Sequence, residues 1–330
     1  MKTAQIQLAA TPEGVPNEEH FKLAEVELPG LKESEVLCET LYLSLDPYMR
    51  SQISGRHISG TIQPGDGMRG EAISRILQSR SDQFSEGELV RVPAGWQAHS
   101  VHGVNEVARL PVGGVPPSYY LSALGMPGLT AYAGLIWQAN PSAGETVLIP
   151  AATGGVGALA GQLAKSIGCR VIGIAGGPEK CREAVGRLGY DECIDRLSTD
   201  VPSELDRLCP DGMDVFFDLV GGELLHRVSE RLKSGARVIL CGMVAEYNAK
   251  ERMQGPPPAL WIIARAKVFG LVVYDFESRR QEFIDAVKPL VESGQIKVPE
   301  DEVVGLEQAP GLFCRLMRGE NRGKAIVRVK

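Results

Sequence analysis

Seven residues, Ala151-Ala152-Thr153-Gly154-Gly155-Val156-Gly157, stand between an apolar run and a helical one, and they restrict what this chain can fold into. Thr146–Ile149 (TVLI) has the unbroken apolar character of a strand buried on both faces, and Val156–Ile167 (VGALAGQLAKSI) carries small and apolar residues at helical spacing. A strand that passes into a helix through glycines is the opening unit of a parallel sheet crossed by helices. The turn reads A-x-G-x-x-G over Ala152, Gly154 and Gly157, with alanine where a first glycine is usual. Gly154 lets the backbone approach a pyrophosphate, Gly157 lets helix and strand pack, and the helix N-terminus offers N–H groups and the positive end of its dipole.

The rest of the chain fits around that unit. Further strands are predicted at Arg170–Ile174, Glu192–Ile194, Asp214–Leu219, Arg237–Leu240 and Val268–Tyr274, with helices over Pro178–Leu188, Glu223–Leu232 and Ser278–Glu292. Six strands with crossovers make a doubly wound Rossmann sheet. The first third is β-rich instead, with strands at Glu35–Leu45, Ala72–Leu77 and Glu88–Val92 and turns at Gln63–Gly67 and Val112–Pro117. Lys324–Val329 alternates again, which predicts a return to the first domain. At 330 residues two domains are expected, and the fold class is α/β with a second, β-rich domain.

The end of the second strand selects the cofactor. An NAD site places a carboxylate about 20 residues past the turn, on the ribose 2′-hydroxyl. This chain has Ala175-Gly176-Gly177 there, then Lys180, which favours the 2′-phosphate of NADPH. Glu179 argues the other way, and Lys180 also reads as a solvated first-turn lysine.

Composition closes other avenues. A formal charge of -6 without a basic block argues against nucleic acid, and no apolar run approaches the roughly 20 residues that span a bilayer. The N-terminus has neither signal-peptide nor transit-peptide character, and seven scattered cysteines without a C-x-x-C pair suit a reducing cytoplasm. His99 and His102 form the one close histidine pair, in a segment that reads as strand and loop, so no three-ligand zinc set emerges. Catalysis then falls to groups that hydrogen-bond a developing oxyanion. Tyr247, after the fifth strand, and Tyr48, in LDPYMR, are the candidates, each with packing as its other reading.

Six strings, LSLDPYMR, GMPGLTAY, AATGGVG, FFDLVGGE, CGMVAEYN and GENRGKAIV, occur in the order found in the zinc-independent medium-chain dehydrogenase/reductases. The chain most resembles the branch with leukotriene B4 12-hydroxydehydrogenase/prostaglandin reductase, plant double-bond reductases and curcumin reductase. The resemblance implies a GroES-like catalytic domain of residues 1–122 and 300–330 around a Rossmann domain of residues 123–299, and a homodimer. It implies NADPH-dependent reduction of the carbon–carbon double bond of an enal or enone. It assigns cofactor contacts to Thr130, Gly154, Gly155, Val156, Gly157, Lys180, Cys241, Gly242, Tyr247, Leu271, Val272, Val273 and Asn321. Two positions depart from the pattern: Arg196 stands where the family has a tyrosine, as a second cation for the 2′-phosphate or a surface residue, and Leu219 replaces an asparagine.

The implied reaction delivers hydride to the β-carbon, with the enolate oxygen held by Tyr247, with or without the cofactor ribose hydroxyl, and the α-carbon protonated by water or a tyrosine, Tyr247 or Tyr48. A quinone reductase of the same superfamily, an alcohol dehydrogenase and a non-catalytic NADPH-binding protein are the rival readings. The stiff segment Ala249–Leu260 (AKERMQGPPPAL) is the candidate wall of the substrate pocket.

Overall fold

Thr146–Pro150 is buried at every position, which a strand achieves only inside a sheet covered on both faces. The computed structural model describes residues 1–111, 113–249, 251 and 253–330 and forms two units, Ser122–Pro299 and Met1–Leu121 with Glu300–Lys330. Val112 of the expected Val112–Pro117 turn, and Lys250 and Arg252 of the Ala249–Leu260 segment, lie outside the described residues.

In the unit Ser122–Pro299, six parallel strands run along the chain as β1 (Thr146–Pro150), β2 (Arg170–Ala175), β3 (Glu192–Asp195), β4 (Met213–Asp218), β5 (Leu232–Leu240) and β6 (Lys267–Gly270). Their order across the sheet is β3-β2-β1-β4-β5-β6, the doubly wound Rossmann arrangement with its switch point between β1 and β4. Helices α1 (Gly157–Ile167), α2 (Pro178–Gly186), α3 (Val201–Leu208), α4 (Gly222–Ser229) and α5 (Pro258–Ala264) make the crossovers.

Several element boundaries differ from expectation. The sixth strand stops at Gly270, not Tyr274, because Gly270 pairs with Leu240, where the neighbouring strand ends. Residues Val273–Arg279 turn into a 3-10 helix instead, and the next helix starts at Arg280. The fifth strand starts at Leu232, not Arg237, because Leu232 already pairs with Met213. The helix before it therefore ends at Ser229. Sequence reading also passed over Met126–Tyr132 and the wide π-helical turn Ala133–Ala139, whose Gly134 leaves no room for a Cβ beside Phe217 and Leu271.

The other unit is built on a seven-stranded sheet. Its long strand Glu35–Ser44 pairs antiparallel with Ala72–Ser79, with His99–Gly103 and with the C-terminal strand Lys324–Arg328. Trp96 sits at the centre of the core, 5.7 Å from Phe21 and 5.5 Å from Phe313 between ring centroids.

Candidate functional site

The glycine turn is shaped by Ala151, whose φ of 49° is a left-handed conformation rarely held without glycine. Its carbonyl accepts the Gly154 N–H at 2.8 Å. A Cβ on Gly157 would lie 2.4 Å from that same oxygen, and one on Gly154 would lie 3.2 Å from it. Gly157 is therefore dictated by that carbonyl, which also crowds a Cβ at Gly154, and the cradle they leave open is the kind a pyrophosphate fills. Behind the turn, the buried Tyr190 hydroxyl donates to Gly157 O at 2.8 Å and packs where a Cβ on Gly161 would stand, 2.2 Å from its ring. Tyr190 braces the turn and was not singled out from the sequence.

At the end of β2, the Arg196 guanidinium lies 3.2 Å from where a Cβ on Gly176 would sit, and Lys180 occupies the first turn of α2, half-buried. Arg196 and Gly176 therefore meet where the sequence lacks the NAD carboxylate. Asp195 is committed elsewhere: its carboxylate accepts the Gly177 N–H at 2.7 Å, the Leu197 N–H and the Ser198 hydroxyl. Those bonds, the Leu197 N–H foremost, hold its pKa below the ordinary value.

The loop after β5 is tied to the loop after β4. Cys241 and Gly242 donate to Asp218 O, and Ala245 donates to Val220 O at 3.1 Å. A Cβ on Gly242 would lie 3.1 Å from the Leu219 carbonyl. Tyr247 is half-buried in this loop. Burial raises its phenol pKa and outweighs a hydrogen bond from the Met243 backbone, so the group stays protonated and able to donate. The Cys241 thiol is pushed up to about 12 by burial, which makes it a poor nucleophile. Among the family's other cofactor positions, Leu271 is buried beside Gly134, Val272 is exposed and Val273 opens the 3-10 helix. Thr130 donates its hydroxyl to Met126 O at 2.8 Å, and Asn321 donates to Gly323 O at 2.8 Å.

Asp218, a second residue that sequence reading missed, is 1% exposed, and burial raises its pKa to about 6 against the two N–H bonds it accepts from Val220 and Gly221. The folded chain thus holds this proton more tightly than the unfolded one. The stabilisation is complete below about pH 4 and is lost as pH rises through about 6. Asp218→Asn lacks that titration, so its stability relative to the parent should improve by about 2 kcal/mol between pH 4 and pH 7. Urea denaturation of both proteins at the two pH values measures this; an unchanged difference would refute it.

In the other unit, Tyr48 begins the short helix Met49–Ile53 and packs half-buried on the core, its ring 5.0 Å from His57.

Known proteins resemble both units. A family model described as "N-terminal domain of oxidoreductase" matches residues 4–110, and one described as "Zinc-binding dehydrogenase" matches residues 155–291. The NADPH-dependent curcumin reductase of Escherichia coli (strain K12) is 38% identical over 98% of this chain and 95% of its own length. The chain belongs to the medium-chain dehydrogenase/reductases, in their zinc-independent branch. The 2-alkenal reductase (NADP(+)-dependent) of Nicotiana tabacum is 36% identical over 90% of this chain and 88% of its own. The crystal structure of CurA in complex with NADPH from Vibrio vulnificus superposes with a TM-score of 0.94, at 38% identity over 99% of both chains.

For this reductase chain the zinc in that family description has no matching donor set. Among the described residues no three His, Cys, Asp or Glu side chains are grouped to hold a metal ion, whereas a catalytic zinc takes three protein ligands. His99 and His102 lie in one strand, three residues apart; His102 hydrogen-bonds Ser100 and His99 meets Thr3. The described residues do not fit zinc.

Proposed function

We propose that the chain is an NADPH-dependent reductase of the carbon–carbon double bond of α,β-unsaturated aldehydes and ketones. The observation that carries this reading is the turn at Ala151–Gly157, where the Ala151 carbonyl excludes a Cβ at Gly157 and crowds one at Gly154, with Arg196 over Gly176 at the end of the next strand. Gly154, Gly155, Val156 and Gly157 would hold the pyrophosphate, and Lys180 and Arg196 the 2′-phosphate. Thr130, Cys241, Gly242, Leu271, Val272, Val273 and Asn321 would line the remainder of the cofactor. NADPH, when bound, supplies hydride for the β-carbon. The chain's own task is to hold the carbonyl oxygen as it gains charge, and a phenol kept protonated by burial suits that role. Tyr247 is the first candidate and Tyr48 the second. The names of the curcumin and 2-alkenal reductases support the same substrate class.

NADPH oxidation should be faster with 2-nonenal than with benzoquinone, and simple alcohols with NADP⁺ should give no turnover. Preference for benzoquinone over every enal and enone tried would make the protein a quinone reductase instead. Tyr247→Phe should lower kcat on enones by about 10- to 1,000-fold, the range for loss of an oxyanion donor and the weaker case of a second donor remaining. Full activity on every enone would remove Tyr247 from the mechanism.

A homodimer fits the sheet edge. β6 ends the sheet order, and Ile262, Ile263 and Val268 beside it are exposed, Ile262 to 75%. Ile262→Glu with Ile263→Glu should shift the mass by light scattering from dimer to monomer; an unchanged mass would place any interface elsewhere. Seven free thiols among the described residues suit a reducing, cytoplasmic setting.

A further inference from the structure

Lys324 is 4% exposed, deep in a unit whose other buried side chains are mostly apolar. Its ammonium donates to Leu45 O, to Asp46 Oδ1 at 2.9 Å and to Ala325 O at 3.3 Å, which uses all three of its protons. The second carboxylate oxygen of Asp46 accepts the Ser44 hydroxyl. Both members of the pair are thus buried and hydrogen-bonded by protein groups.

Its position gives it a purpose beyond cohesion. Strand Glu35–Ser44 ends where Ser44 pairs with Ile326, and the chain leaves the sheet as Leu45-Asp46-Pro47-Tyr48. Lys324, two residues before Ile326 on the neighbouring strand, grips the first two residues of that exit. Leu45 N–H in turn donates to Ala325 O at 3.2 Å, so the grip works from both chains. From there the turn closes on itself: Asp46 O accepts the Met49 N–H at 3.1 Å, and Pro47 O accepts that of Arg50 at 3.0 Å. Pro47 fixes its own φ and offers no N–H, so little freedom remains between the anchored Asp46 and Tyr48.

A buried ion pair is a poor source of stability, since two apolar side chains of like volume commonly do as well, and its better-attested use is to fix geometry. We propose that Lys324, acting through Asp46, is a positioning residue that sets where the Tyr48 phenol stands. The inference rests on Tyr48 serving the reduction proposed above.

The test compares four full-length enzymes assayed with NADPH and 2-nonenal: the parent, Tyr48→Phe, the apolar pair Lys324→Met with Asp46→Leu, and all three changes together. The apolar pair leaves no orphan charge, so it should fold with a melting temperature near the parent's. Its kcat should fall by about tenfold to 100-fold, the scale of a misplaced group, while KM for NADPH stays within about twofold. On the Tyr48→Phe background the same change should lower kcat by less than about twofold, because there is no phenol left to misplace. Equal losses on both backgrounds would make the pair structural only, and full activity of the apolar pair would likewise overturn the proposal. Should the apolar pair not fold, Asp46→Asn, which keeps the side-chain shape and one oxygen, takes its place in the cycle.

A second readout is independent of turnover. With 3-fluorotyrosine incorporated, the Tyr48 fluorine resonance is the one absent from Tyr48→Phe. Removing the clamp should shift or broaden that line. An unmoved line refutes the clamp even if enones are reduced, whereas a moved line with no enone turnover sinks the proposed activity and leaves the clamp standing.

Discussion

Gly161→Ala should destabilise the protein by about 3 kcal/mol or more, lowering the melting temperature by about 6–12 °C, although alanine in mid-helix ordinarily stabilises by about 1 kcal/mol. The reversal of sign comes from Tyr190. An alanine Cβ at position 161 would stand 2.2 Å from the Tyr190 ring, less than any real contact permits. The ring cannot swing aside cheaply: it is 2% exposed, and its hydroxyl is committed to Gly157 O at 2.8 Å. Moving it breaks that bond and opens space against Ala152 and Gly173. The cofactor turn hangs from the same bond, so NADPH affinity should fall together with stability. Calorimetry on Gly161→Ala, on Tyr190→Ala and on both together decides the cause. With the ring gone, Gly161→Ala should become neutral or stabilising; if it costs the same in both backgrounds, the clash with Tyr190 is not its origin.

The same two residues explain how far sequence reading reaches. The doubly wound sheet was legible because each strand is a short apolar run and each crossover a helical one, signals that need no distant partner. The turn was legible because glycine is chemically conspicuous. Tyr190 was invisible, since nothing local distinguishes a tyrosine whose hydroxyl ends on a carbonyl 33 residues away from one that merely packs. Ala151 was invisible for a related reason: its left-handed backbone belongs to the turn's geometry, and alanine does not advertise it. Lys324 and Asp46 lie 278 residues apart, and each alone reads as a surface charge. Element ends failed where a neighbour decides them, as Leu240 does for Gly270. The family resemblance supplied residue roles that pattern alone did not, and Arg196, where the pattern breaks, is the position for which it offers least guidance.

Arg196 is also where the second large effect is expected. Removing Arg196 and Lys180 together, as alanines, should lower kcat/KM for NADPH by about 10²- to 10³-fold while changing that for NADH by less than about threefold. A hydrogen bond from a cation to a phosphate contributes about 1.5–3 kcal/mol, and each 1.4 kcal/mol is a factor of ten, so two such contacts reach this range even when partly solvated. The selectivity follows from geometry. Arg196 lies against Gly176 at the end of β2, whereas Gly154 and Gly157 are bounded by Ala151 and Ala152, so its loss should leave binding of the shared part of both cofactors intact. The carboxylate closest in sequence, Asp195, is held by Gly177, Leu197 and Ser198, and so does not compete for the arginine's place by rotating to a ribose hydroxyl. The single variants apportion the effect. If Arg196→Ala alone removes most of the preference, this chain has replaced the family's tyrosine with its main phosphate ligand. If Lys180→Ala alone does so, Arg196 is a surface residue. Should the double variant weaken NADH as much as NADPH, both cations act through the fold and the end of β2 is not where the cofactor's 2′-phosphate is read.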